Sequence, residues 1–87
     1  MTIQSKQSVP SPMRRYTIVL EPDPQEGGYS VTVPALPGCV TQGDSTEQCV
    51  ERAQEAIAGY IESLVARGLP VPEETEPPRL LDVRVAA

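Results

Sequence analysis

Residues 28–69, GYSVTVPALPGCVTQGDSTEQCVERAQEAIAGYIESLVARGL, decide the fold. They read as a strand, a proline-gated turn, a second strand, a glycine break and a long capped helix. The helix carries the strongest signals. Asp44, Ser45 and Thr46 each offer an N-cap, and Asp44 with Glu47, or Ser45 with Gln48, has capping-box spacing. Apolar residues then fall at Cys49, Val50, Ala53, Ala56, Ile57, Tyr60, Ile61, Leu64 and Val65, a three- and four-residue rhythm that makes one broad apolar face. Arg52, Glu55, Glu62 and Arg67 take the other side. Gly68 stands where a left-handed residue ends a helix, Leu69 can fold back on the last turn, and Pro70 forbids continuation.

Upstream of the helix the period changes from 3.6 to 2. In residues 29–33, Tyr29, Val31 and Val33 alternate with Ser30 and Thr32. Pro34 removes a ladder donor and Pro37-Gly38 fits the centre of a type II turn, with Leu36 free to tuck inward. Residues 39–42 form a short third strand closed by Gly43. Before them, residues 14–21 alternate Tyr16, Ile18 and Leu20 against Arg15, Thr17, Val19 and Glu21. The intervening segment 22–28, PDPQEGG, supplies hairpin turn chemistry. Downstream, residues 71–78, VPEETEPP, read as an acidic proline-rich linker. Alternation resumes over residues 80–85, with Leu81, Val83 and Val85 opposite Leu80, Asp82 and Arg84, and predicts a fourth strand.

The order β-β-β-α-β predicts a two-layer α+β domain over residues 14–87, with one long helix on one face of a sheet in order 3-2-1-4. A right-handed crossover lays the fourth strand beside the first. The other face, with Thr17, Val19, Ser30, Thr32 and Leu80, is mixed in polarity, which points to a homo-oligomer, dimer or tetramer, formed through that face or through a sheet edge. Residues 1–13, MTIQSKQSVPSPM, are polar, aperiodic and carry Pro10 and Pro12; they read as a flexible tail or an arm that grips a partner.

Eighty-seven residues suffice for one small domain. The net charge of −5 is unevenly spread: Lys6, Arg14 and Arg15 precede every acid, and from Glu21 onward twelve acids face four bases. Such a body repels phosphate and suits a basic protein better than nucleic acid; plain solubility is the simpler reading of the same charge. No apolar run approaches the ~20 residues needed to cross a bilayer, and the N-terminus has no secretory pattern, so a cytoplasmic protein is expected.

No residue cluster demands catalysis, and no catalytic, cofactor-binding or metal-binding residue is assigned. Histidine is absent, which removes the usual general base and the commonest metal ligand. Ser45 has no base partner and is explained as a helix cap. Cys39, beside a tight turn, is the sharper nucleophile candidate, yet no cation adjoins it in sequence to lower its pKa; a buried structural thiol fits better, and Cys49 lies on the apolar helix face. The strand order also matches the first half of a ribonuclease H-type fold, in which strand and helix acids hold divalent metals. Glu21 stands only at the end of the first strand, and Asp82 with Glu47, Glu51 or Glu55 does not complete such a site.

The segment GYSVTVPALPGCVTQGDSTEQCVERAQEAI resembles the core motif of the HicB-like antitoxin family: Gly28, Tyr29, Pro34, Leu36, Pro37, Gly38, Cys39, Thr41, Gly43, Asp44, Ser45 and Glu47, then Ala53, Glu55 and Ala56. The resemblance runs from about Tyr16 to Leu69. It implies a partial ribonuclease H fold without nuclease activity, and the antitoxin of a type II toxin–antitoxin pair. Such a protein occludes a HicA-like toxin, a small basic ribonuclease with a catalytic histidine. Many family members add a C-terminal helix-turn-helix or ribbon-helix-helix segment for operator DNA. This sequence ends at Ala87, so a short form that does not bind DNA directly is expected. Two other readings are an orphan structural or regulatory domain without a toxin, and a metal-dependent nuclease.

Overall fold

The computed structural model describes residues 13–87. The expected tail, residues 1–13, lies outside them except for Met13. Three strands, β1 (Val19–Pro22), β2 (Tyr29–Thr32) and β3 (Val40–Gly43), are followed by one helix, α1 (Thr46–Ala66). The sheet is antiparallel in the order β1-β2-β3, with Val19 opposite Thr32 and Val31 opposite both Leu20 and Thr41.

Each element is closed by the chemistry its residues provide. Asp23 Oδ1 accepts from the backbone N–H of Gln25 and of Glu26, and the Asp23 carbonyl accepts from Gly27, which tightens the β1–β2 connection. Between β2 and β3, Cys39 donates to the Leu36 carbonyl at 2.9 Å across Pro37-Gly38, and Gly38 holds φ +83°, the type II geometry. At the head of α1, Ser45 Oγ accepts from the Gln48 N–H, while Gln48 Oε1 accepts from the Asp44 N–H. The Ser45–Gln48 pairing therefore forms and the Asp44–Glu47 one does not; the return bond lands one residue before the cap. At the other end Leu69 donates to the Leu64 carbonyl and Gly68 to that of Val65, with Gly68 at φ +69°, a complete Schellman motif.

The apolar layer sits between sheet and helix. Val31, Cys49 and Ala53 form one buried cluster, joined by Ile18, Leu20, Tyr29 and Ile57; Val33, Leu36 and Cys39 form a second, joined by Tyr16, Ala56 and Tyr60. Leu36 is fully buried between its two prolines. Tyr60 donates its hydroxyl to the Pro37 carbonyl at 2.7 Å, clamping the turn to the helix. Two residues of the expected helix face, Val50 and Val65, are instead exposed, because α1 lies mainly over β3 and β2 rather than centrally over the sheet.

The predicted fourth strand does not form. Residues 80–85 belong to no strand, and Leu80, Leu81, Val83 and Val85 are each about four-fifths exposed or more (89%, 82%, 81% and 78%). The sheet has three strands, so the order 3-2-1 is present and the fourth position is not. The cause lies in the linker. Asp23 donates to the Gly28 carbonyl across the hairpin, and alternation turns the N–H groups of Glu21, Val19 and Thr17 toward the same β2 side. Extending the Val19–Thr32 register by two residues sets Thr17 opposite Pro34, where the ladder stops. Glu74 fills this place: Oε1 accepts from the Thr17 N–H and Oε2 from the Thr17 hydroxyl, both at 2.6 Å. Tyr16 donates its hydroxyl to the Pro72 carbonyl one step earlier. The linker is thus held at the β2 side of residue 17, and Glu74, Glu76 and Pro78 share a shallow concavity with Pro34 and Ala35 just beyond the end of β2.

Candidate protein-binding surface

Among the described residues, two of the concave regions and one charged face bear on recognition. The first concavity, about 410 Å³, lies where the β1–β2 turn approaches the N-terminal end of α1; Asp23, Glu26, Asp44, Gln42, Gln48 and Arg52 are among its lining. Three carboxylates against one guanidinium make it acidic. Its floor is drawn close by glycine. A Cβ on Gly28 would stand 2.6 Å from the Gly43 carbonyl oxygen, and one on Gly43 would stand 2.9 Å from both the backbone nitrogen and the Sγ of Cys49. The exposed carboxylates of Glu47, Glu51, Glu55 and Glu62 extend the negative charge along α1.

The second concavity, about 560 Å³, is apolar and lies beside β1 on the helix side, between residues 13–18 and α1. Tyr16, Ile18, Val50, Ala53, Ile57 and Ile61 line it, with Arg14 and Arg15 at its rim. It exists because α1 is offset toward β3, leaving the helix face above the β1 edge without a strand beneath it.

The residues singled out for chemistry are dispersed or capped. Ser45 is committed to Gln48 as the helix cap. Cys39 and Cys49 are free thiols, buried in separate clusters. Burial pushes the Cys39 thiol above its ordinary value, the opposite of what a nucleophile needs. Glu21, Asp82 and the α1 acids are not gathered: among the described residues no group of three or more Cys, Asp or Glu is placed to hold a metal ion. Asp82 travels with the exposed C-terminal segment, far from any strand register. Sequence reasoning missed Glu74, whose carboxyl is held below the usual carboxylate range chiefly by its two hydrogen bonds from Thr17, with Arg15 adding a smaller attraction. Its surroundings in VPEETEPP resemble any acidic linker, and nothing local distinguishes it from Glu73 or Glu76.

Among the described residues no helix is long and apolar enough to cross a membrane. A family described as "HicB_like antitoxin of bacterial toxin-antitoxin system" matches residues 16–82. A UPF0150 protein of Synechocystis sp. is 45% identical over 74 residues, covering 85% of this chain and 86% of that protein. A UPF0150 protein of Thermoplasma acidophilum is 42% identical over 60 residues, 69% of this chain and 86% of that protein. Antitoxin HicB 1 of Photorhabdus laumondii is 46% identical over 43 residues, which are 49% of this chain and 27% of that longer protein.

Proposed function

We propose, on the premise that this chain belongs to the HicB-like antitoxin family, that it neutralises a small basic HicA-like ribonuclease by binding over its active surface. The family's role is that of an antitoxin, not an enzyme. One observation carries the finer reading: from Glu21 onward the chain holds twelve acids against four bases. In the fold these acids line the concavity of Asp23, Glu26 and Asp44 and continue along the exposed side of α1. Such a surface competes for the cationic groove in which a ribonuclease seats RNA phosphates, and it repels nucleic acid itself. Neutralisation is by occlusion and uses no catalytic residue. We place the role in the single domain of residues 14–87, acting in the cytoplasm as a homo-oligomer.

The test is co-expression with any small basic, histidine-containing protein encoded beside it, followed by an RNA-cleavage assay on the purified components. Cleavage by the basic protein alone, and its loss when this chain is added, supports the proposal. Undiminished cleavage in the presence of a stoichiometric excess, or RNA degradation by this chain alone, overturns it.

A further inference from the structure

Among the described residues, the C-terminal segment and the apolar concavity beside β1 are two unsatisfied parts, and they match. In an extended conformation residues 80–85 would present Leu81, Val83 and Val85 on one side and Leu80, Asp82 and Arg84 on the other, and these apolar side chains are about four-fifths open to water. Isolated exposed apolar residues are ordinary; four within six positions, three of them in alternation, are not. The outer edge of β1 has no partner strand among the described residues. Alternation points the N–H groups of Ile18 and Leu20 outward along it, and the groove lined by Ile18, Val50, Ile57 and Ile61 runs beside it. A strand laid on that edge extends the sheet and places every second side chain over the groove.

We propose that this segment is an exchange arm: residues 80–85 of one copy pair with the β1 edge of a second copy and roof its apolar groove, reciprocally. The occupant is a second copy because the chain's own arm starts from the wrong side. Glu74 is held by Thr17 on the β2 side of β1, and the path beyond it runs past Pro34 and Ala35. Reaching its own outer edge would require the linker to turn back across residues 14–18. The two prolines Pro77 and Pro78 favour an extended exit. From there the arm, residues 79–87, reaches about 30 Å at ~3.3 Å per residue, enough to span a neighbouring domain. Arm and edge are on the same chain, so one two-fold axis satisfies both copies at once. The apolar face then belongs to assembly, and the acidic surface stays free for the toxin. This deepens the self-association within the proposed function and does not depend on the identity of the toxin.

The experiment uses the full chain. Multi-angle light scattering at micromolar concentration is expected to give at least the dimer mass. The double substitution Leu81→Asp with Val83→Asp, at side chains exposed in the free chain, is expected to halve the mass while leaving the far-ultraviolet helix signal unchanged. In a mixture of isotope-labelled and unlabelled chains, isotope-filtered nuclear Overhauser contacts are expected between the methyls of Leu81 and Val83 and those of Ile18 or Ile57 of the other copy. A monomeric wild type sinks both this inference and self-association. A dimer whose mass survives the double substitution, or arm contacts found only within one chain, sinks the exchange alone and leaves self-association and the antitoxin reading standing.

Discussion

At the scale of single residues, the decisive positions are those where there is no room or no alternative partner. Gly43 is the tightest of them, because β3 ends directly against the first turn of α1. Gly43→Ala places a Cβ 2.9 Å from the Cys49 nitrogen, which is fixed in the helix ladder and cannot yield cheaply. The substitution is expected to lower unfolding stability by about 1–3 kcal/mol in urea denaturation, with overpacking as the cause. Glu74 makes a different kind of prediction. Its folded pKa is depressed, so its bonds to Thr17 add stability above the unfolded carboxylate value of about 4.3, and lose it as pH falls through the lower folded value. The amide resonance of Thr17 should therefore titrate with a midpoint below that of an ordinary glutamate, and should lose this titration in Glu74→Gln. Gly43 was legible in the sequence as a break before a helix. Its steric role was not, since close approach of two segments is set by how the helix seats on the sheet.

At the scale of elements, α1 shows how far local chemistry goes. Its apolar rhythm and its Schellman ending were readable, and its cap was narrowed to Asp44, Ser45 or Thr46, because each depends on residues within a few positions of one another; the structure selects Ser45. Ser45→Ala removes the bond to the Gln48 N–H and is expected to destabilise the domain by about 1 kcal/mol. Gly59→Ala is expected to act in the opposite direction by about the same amount. Beyond the adjoining helix backbone nothing lies within 4 Å of the added Cβ, and alanine is the better helix former. Thermal unfolding of the two variants and their combination should show the effects cancelling. The first three strands lie where they were expected, with looser bounds, and the fourth does not form. Residues 14–18 were expected in the first strand, whereas pairing begins at Val19. The ladder needs a partner, and Pro34 ends β2 before residue 17 can be matched; Tyr16 and Ile18 still reach the core from extended backbone.

At the scale of the whole molecule, function follows from which surfaces remain unsatisfied after folding. The acidic surface is the one suited to a basic partner, and its attraction is long-ranged. Affinity for the toxin, measured by isothermal titration, is expected to weaken by roughly tenfold or more between about 0.1 and 1 M salt, as the screening length contracts from ~10 to ~3 Å. Neutral-to-neutral contact would leave it nearly unchanged. By itself the sequence determined the α+β class, the antiparallel hairpins, the helix and its ends, the burial of Leu36 and both cysteines, and the family. Those features rest on alternation, turn residues and caps, which act over short separations along the chain. Only the tertiary structure decided that α1 sits off-centre, that Glu74 pins the linker to Thr17, and that residues 80–85 are left without a strand beside them. Alternation shows that a segment has an apolar side. It carries no information about which edge that side reaches, because this depends on where the preceding linker is held, here by the bonds from Thr17 to Glu74.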